Sequence, residues 1–483
     1  MDNEPKHHSA TSDQDPNSWL VKWDEHDPAN PQNWSHGRKA WLLSQMALLA
    51  FVGSFGASIM SPTQQVLSTY LSINTETSVL TLSLFVLGYA FGPALWAPLG
   101  ECYGRRASML PAVFISGLFA IGTAVSKDAA AVFVTRFFGG LFASAPIANV
   151  SAAIGDLYDA RSRGVPMAIT AMCVVGGPCL APIVGAAIMV NPHMGWRWTE
   201  YIQAIISFFA SGLAAVAMSE TYHPVLLKRK AQRLRQETGN NMWWHPQEKE
   251  RIRLENVFTK YVARPGRMLL TEPMLFLIAL YASFVYGLLF FQLEAFPIVF
   301  GRDRHFGPVT QTLPFLGLFV GVVAALAVNF ANQPFYARAM ARHGGRPVPE
   351  ARLPPMLAGG ALFSAGLFWF GWTAGAEFSW ALPTVAAGFI GAGFNITFQQ
   401  CLNYLADTYG PYAASAMAGN TFLRSLLACG LPLAARPLFL NLGVGPGSSL
   451  LGGLSCLALP VPFVFIRYGR QLRGRSKFAR ELD

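Results

Sequence analysis

Three arginines put a formal charge inside long apolar runs, Arg136, Arg424 and Arg436, and Glu294 does so with the opposite sign. An ionised group at bilayer depth costs roughly 2.5–3.5 kcal/mol on insertion scales. Such groups persist where they meet a partner, face water or perform work. For Arg136 the alternatives are a partner or cavity, or a side chain that snorkels to a nearby interface. Glu294 is read as the only carboxylate well inside an apolar run. It can carry a proton or meet a cationic ligand, or it can sit as a wet acid near the end of its run. Arg424 is the second-half counterpart of Arg136 and a candidate for a central cavity.

Other candidates cluster by position. Glu101, Gly104, Arg105 and Arg106 follow the second apolar run, where a tight turn needs Gly104. The charges can pair with each other, cap a neighbouring helix, or serve as ordinary flanking charge. Gly177, Ala181 and Gly185 recur at i, i+4 and i+8, which makes one small-residue helix face, and Pro178 and Pro182 permit bending. Tyr281, Tyr286, Phe290, Phe291 and Gln292 precede Glu294; these rings can face lipid, core or ligand. Asn395, Gln399, Gln400 and Asn420 are amides at membrane depth, suited to interhelical hydrogen bonds or to a cavity. Paired carboxylates, a Ser-His-Asp arrangement, a metal-ligand cluster and a Walker A loop are absent from the sequence, which argues against an enzyme and against ATP as an internal power source. The six cysteines form no C-x-x-C pair and read as small apolar residues.

These residues must be positioned by helices in lipid. The 483-residue chain is 52% hydrophobic and only 13% charged, against about 25% charged in soluble domains. Segments long and apolar enough to span fall at about 40–60, 78–98, 108–126, 130–155, 164–190 and 198–218. A second set falls at about 273–299, 309–330, 353–374, 379–402, 412–440 and 447–467. The organisation is therefore a polar tail (1–38), six helices (39–218), a charged loop with short surface helices (219–272), six helices (273–467) and a basic tail (468–483). With both termini cytoplasmic, 29 Lys and Arg fall inside and 4 outside, as the positive-inside rule requires. The net charge of +10 thus belongs to a membrane surface rather than to nucleic acid. The polar N-terminus lacks an apolar h-region, so the first span is expected to direct insertion itself. The N-x-[ST] triplets at Asn33, Asn149 and Asn395 are expected to stay unglycosylated.

Several motifs together resemble the major facilitator superfamily, and within it the fungal twelve-span drug:proton antiporters. Trp23-Asp24 through Asn33-Trp34 is similar to the N-terminal entry motif of that group. Gly92-Pro93 through Trp96-Ala97-Pro98, with Glu101 to Arg106, is similar to the motif of loop 2–3. Arg136, Gly140, Ser144, Pro146, Asp156, Arg163 and Gly164 resemble the helix-4 motif, and Gly177 to Gly185 the antiporter motif. Pro265 to Pro273, Glu294 to Pro297, Gly344-Gly345-Arg346 through Leu353, and Asn420 to Arg424 also resemble this group. Departures include Ala97, Gly100, Ala181 and Ala186.

The resemblance implies an all-α membrane protein of two pseudo-symmetric six-helix halves that rock about a midplane site. It implies export of a small organic molecule, a metabolite, toxin or drug, driven by a proton gradient with no cofactor. Polyamine or nutrient transport is the alternative. Proton coupling and gating would fall to Glu101, Arg105, Arg106, Arg136, Asp156 and Arg163, and helix packing to Gly177, Pro178, Pro182 and Gly185. Substrate would lie near Asn149, Tyr286, Gln292, Glu294, Asn395, Gln399, Asn420 and Arg424. The expected setting is a monomer in the plasma membrane, or in the vacuolar membrane with the same orientation.

Overall fold

The computed structural model describes residues 19–159, 162–248, 259–344 and 347–479. Gly345 and Arg346 of the motif above, and Arg480 of the basic tail, lie outside the described residues. Among the described residues, twelve helical segments are long and apolar enough to cross a membrane. They are α1 (His36–Leu71), α2 (Thr75–Cys102), α3 (Arg105–Val125), α4 (Ala129–Leu157), α5 (Gly164–Val190) and α6 (Arg197–Ala217). The second set is α7 (Pro273–Asp303), α8 (Thr310–Arg342), α9 (Pro349–Trp372), α10 (Ala381–Tyr409), α11 (Ala413–Leu442) and α12 (Val444–Gly474).

Proline sets where these segments depart from the expected bounds. The helix of α1 runs to Ser58, turns through Ser61-Pro62-Thr63, and resumes over Gln64–Leu71. Pro297 converts the end of α7 into a wider turn reaching Asp303. Within α12, Leu459 joins one helix to a second that begins at Pro460, whose ring nitrogen has no hydrogen to continue the ladder. Between α6 and α7 lie a surface helix, His223–Thr238, closed by Gly239 at φ 67°, and a short helix, Arg264–Thr271.

The same packing occurs twice. In the first half α1 packs on α5, α2 on α4, and α3 on both α4 and α6; in the second, α7 packs on α11, α8 on α10, and α9 on both α10 and α12. Each pair recurs six helices later. The two halves meet through α2 against α11 and α5 against α8.

Close approach depends on missing side chains. A Cβ on Gly140 would stand 1.9 Å from the Phe85 carbonyl oxygen, so α4 touches the backbone of α2. In the matching contact of the second half the bare residue is Gly321 of α8, where a Cβ would stand 1.8 Å from the Gly388 oxygen of α10. With no hydrophobic force between helices in lipid, such contact is a main source of cohesion. Gly140→Leu and Gly321→Leu are therefore expected to lower the melting temperature of detergent-purified protein, through an overpacking cost of about 1–3 kcal/mol or more. Gly155→Ala, with open space around its Cβ position, should melt like the parent.

Candidate functional site

Arg136 sits in the second turn of α4, whose first turn Asp128 caps by accepting from the Ala131 amide at 2.8 Å. The side chain is 1% exposed. Its Nε donates to Thr81 O of α2 at 2.8 Å, and Nη2 to Gly56 O and Ala57 O of α1 at 2.9 and 3.3 Å. Nη1 pairs with Glu200 of α6 at 3.0 Å, and the guanidinium lies over the Phe85 ring at 4.2 Å. Arg136 thus neither snorkels nor opens into a space between the halves: all these partners belong to α1, α2 and α6. Glu200, also 1% exposed, corrects the reading of Glu294 as the only carboxylate well inside an apolar run. It lies in the first turn of α6. Packing of α6 on α1 and α3 buries it.

Arg424 of α11 contrasts with this. It is buried, and its guanidinium lies 4.6 Å from the Tyr286 ring and 5.3 Å from the Phe398 ring. Among the described residues it forms no salt bridge, and its Nε has no hydrogen-bond partner. Cation–π contact offsets about 2 kcal/mol when desolvated, which leaves the charge itself without a counter-ion. One turn earlier, Asn420 is 0% exposed with both side-chain amide atoms unpartnered. Gln292 is likewise buried with an unpartnered Oε1. Across the junction, Tyr89 of α2 donates to Gly53 O at 2.7 Å and lies within electrostatic reach of both Arg136 and Arg424.

The remaining amides divide. Asn329 of α8 donates to Asn395 at 3.2 Å and accepts from Gln400 at 2.9 Å, so these form an interhelical ladder. Gln399 is half-buried beside it. Asn149 does not join the Arg424 group. It donates to Trp96 O and Ala145 O at 3.1 Å and accepts from Arg105, at the end of the bundle where α1 begins and α12 ends.

That end, called here the basic end, carries the loop 2–3 charges in an arrangement other than mutual pairing. Arg105 pairs with Asp156 at 3.1 Å and lies over the Tyr222 ring. Glu101 instead accepts from Lys260 at 2.6 Å and from the Tyr261 hydroxyl, both in the turn leading to Arg264–Thr271. Burial and the adjacent Glu101 carboxylate push that hydroxyl well up from its ordinary value. Glu220, unremarked in the sequence, accepts from the Arg105 and Arg106 amides at 2.9 and 3.2 Å and so caps α3. Gly104 permits this: its φ is 103°, and a Cβ there would collide with the Glu220 carboxylate. The second half repeats the Arg105–Asp156 pair as Arg352–Asp407 at 3.0 Å. A basic residue at the start of α9 and an acid at the end of α10, six helices on, was the available signal. Arg163 is exposed and stands apart from these pairs.

The opposite end holds Glu294. It is 4% exposed and accepts from Gln64 of α1, while Ser61 Oγ donates to Leu293 O at 3.2 Å. The wet-acid reading therefore fails. Arg436 of α11 lies within electrostatic reach, with its Nε unpartnered. Gly177 and Gly185 bring α5 onto α1, where a Cβ would stand 2.2 Å from Ser54 Oγ and 2.2 Å from Ile59 O respectively. Ser58 Oγ donates to Pro178 O at 3.3 Å in the same seam, and Pro182 is buried.

Segment 19–34 is clamped onto the surface helix His223–Thr238. Trp23 donates to His223, and Lys230 pairs with Asp27 at 2.6 Å and Asp24 at 3.2 Å. Burial works against the Asp27 charge. The hydrogen bonds from Lys230 and the Ala29 amide, with the Lys230 charge, hold its carboxyl below the ordinary value of 3.8. Its folded value lies below its unfolded one, so its stabilisation is full above 3.8 and is lost as pH falls through the depressed value. Deuterium uptake over residues 20–30 should stay low from pH 7 down to that range and rise below it; Asp27→Asn should raise it at pH 7. For the buried pair, Glu200→Gln should destabilise by about 3–5 kcal/mol, because Arg136 is left without its counter-charge. Thermal melting of the purified protein reads this, and Arg136→Met with Glu200→Leu should recover part of the loss.

Comparison with known proteins places this geometry. The sequence profile of the Major Facilitator Superfamily matches residues 46–432. Efflux pump bik6 of Gibberella fujikuroi is 40% identical over 455 residues, covering 94% of this chain and 93% of that protein. The multidrug transporter FLU1 of Candida albicans is 38% identical over 459 residues, covering 95% and 75%. Among solved structures, the xylose transporter XylE from E. coli superposes with a TM-score of 0.61 at 16% identity, covering 88% of this chain and 98% of that one. The twelve spans, the twofold packing pattern and these matches agree: the chain is a multi-pass membrane transporter and belongs to the major facilitator superfamily.

Proposed function

We propose that this protein exports a small organic molecule, a secondary metabolite, toxin or xenobiotic, in exchange for protons. The observation that carries the reading is that an acid joins the two halves at each end of the bundle. Glu101 of α2 holds Lys260 and Tyr261 at the basic end, in a segment whose following helix packs on α11. Glu294 of α7 holds Gln64 of α1 at the other. Rocking requires one set of contacts to open while the other closes, and acids in these contacts let protons bias the exchange. The efflux and multidrug relatives support the direction and the cargo class. The wealth of arginine and scarcity of free acid near the junction disfavour a polyamine.

In this reading Arg136 and Glu200 form the coupling pair: a proton on Glu200 cancels the ion pair and lets Arg136 change partners. Arg105 with Asp156, and Arg106 through its Glu220 cap, brace the latch that Glu101 closes. The basic end faces the cytoplasm, by the positive-inside rule, in the plasma membrane or a vacuolar membrane. The protein works as a monomer with the gradient as its only energy source.

Accumulation of a panel of toxic compounds in a drug-sensitive yeast tests this. Cells with the protein should accumulate less of at least one compound, and an uncoupler should erase the difference. A difference that survives the uncoupler points to uniport and sinks proton coupling. Arg136→Ala should abolish uncoupler-sensitive efflux while still reaching the membrane, and normal efflux in that variant removes Arg136 from the mechanism.

A further inference from the structure

We infer that the cargo is an anionic planar aromatic molecule, and that Arg424 is the residue that receives its negative charge. The inference rests on the export reading and names the cargo's chemistry.

Tyr89 lies within electrostatic reach of two arginines, one from each half. Glu200 neutralises Arg136. Glu294 is engaged by Gln64 at the far end, and Glu101 by Lys260 and Tyr261 at the basic end. Among the described residues no acid is left for Arg424. A buried guanidinium that has rings and an unpartnered amide beside it, and no carboxylate, is poised for a counter-charge supplied from outside the chain.

The neighbouring groups specify the rest of that molecule. Asn420 lies four residues before Arg424, on the same helix face, with its donor and acceptor both empty. Tyr286, Phe394 and Phe398 form a layered set: Tyr286 is stacked on Phe398 with centroids 5.5 Å apart, and Phe394 on Phe398 at 5.5 Å. A flat ring system bearing an acid group would match both features. The ring meets the aromatic layer, and the acid meets Arg424 with Asn420 beside it. A cationic cargo would face an uncompensated positive charge, which works as negative selection. The groups come from α7, α10 and α11 of one half, with Tyr89 of α2 facing them from the other. A cargo held there touches both halves, as a rocking mechanism needs.

The test uses three pyrene probes of nearly equal shape: pyrene-1-sulfonate, pyrene-1-methanol and pyrene-1-methylammonium. Binding to the purified full-length protein is measured by fluorescence, and uncoupler-sensitive efflux is measured in yeast. The unmodified protein should bind the sulfonate about ten-fold or more tighter than the ammonium probe, since the sign of one charge is the difference in a low-dielectric site. Arg424→Gln should remove that preference, and Arg424→Lys should keep part of it. Equal or tighter binding of the ammonium probe overturns the inference without any variant, as does an unchanged sulfonate affinity in a folded Arg424→Gln protein. If the neutral or cationic probe is pumped in an uncoupler-sensitive way and the sulfonate is not, the inference fails and the export reading stands. If no compound of this set or of the toxic panel shows uncoupler-sensitive efflux, the export reading fails and takes the inference with it.

Discussion

A guanidinium surrounded by lipid-embedded helices must be given oxygen atoms, a counter-charge or both, and the first half of this protein is organised around that demand. Arg136 collects three backbone carbonyls and one carboxylate from three different helices. Gly56 and Ala57 lie in the last turn of the helix that ends at Ser58, where carbonyls lack an intrahelical partner, so the arginine answers acceptors that α1 leaves open. The arrangement sets the spacing of α1, α2, α4 and α6 at one depth. The glycines of the α2–α4 contact belong to the same solution, because only bare backbone lets α4 come near enough for Arg136 to reach across.

The two halves share an architecture and differ where charge is concerned. At the basic end they are alike: Arg105 with Asp156 and Arg352 with Asp407 tie the third helix of each half to the end of the fourth. Each of these arginines also lies over a tyrosine ring. In the core they diverge. Arg136 is saturated within its own half, while Arg424 faces the junction with rings for neighbours and an unpartnered Asn420 beside it. A static scaffold gains nothing from an unneutralised buried charge. A transporter can use one, because its cargo completes the site and thereby changes the relative stability of the states.

The junction is closed at both ends by polar contacts between groups far apart in the chain. Ser61 and Gln64 reach Leu293 and Glu294 at one end, and Glu101 reaches Lys260 and Tyr261 at the other. Between them, the Ser83 hydroxyl donates to Cys429 O at 2.7 Å, and the Phe91 and Phe422 rings meet edge to face. The surface helix and the N-terminal segment add a further layer at the basic end, where His223 joins Trp23 to the Asp156 carbonyl.

Much of this was legible beforehand because hydropathy and charge act locally. A run of about 20 apolar residues must span whatever lies elsewhere in the chain, so the twelve helices, the two sets of six and the concentration of Lys and Arg between them could be read directly. Resemblance in short motifs carried the family. Partners could not be read in the same way. Glu200 is 64 residues from Arg136, and Glu294 is 230 from Gln64. Glu200 drew no notice and Asn149 looked like a cavity amide, because residue type and depth do not say which way a helix turns its face. The sequence by itself determined which segments enter the membrane and which charges enter with them. Only the tertiary structure decided which of those charges are answered, since neutralisation depends on helix rotation and packing between residues that no local window contains.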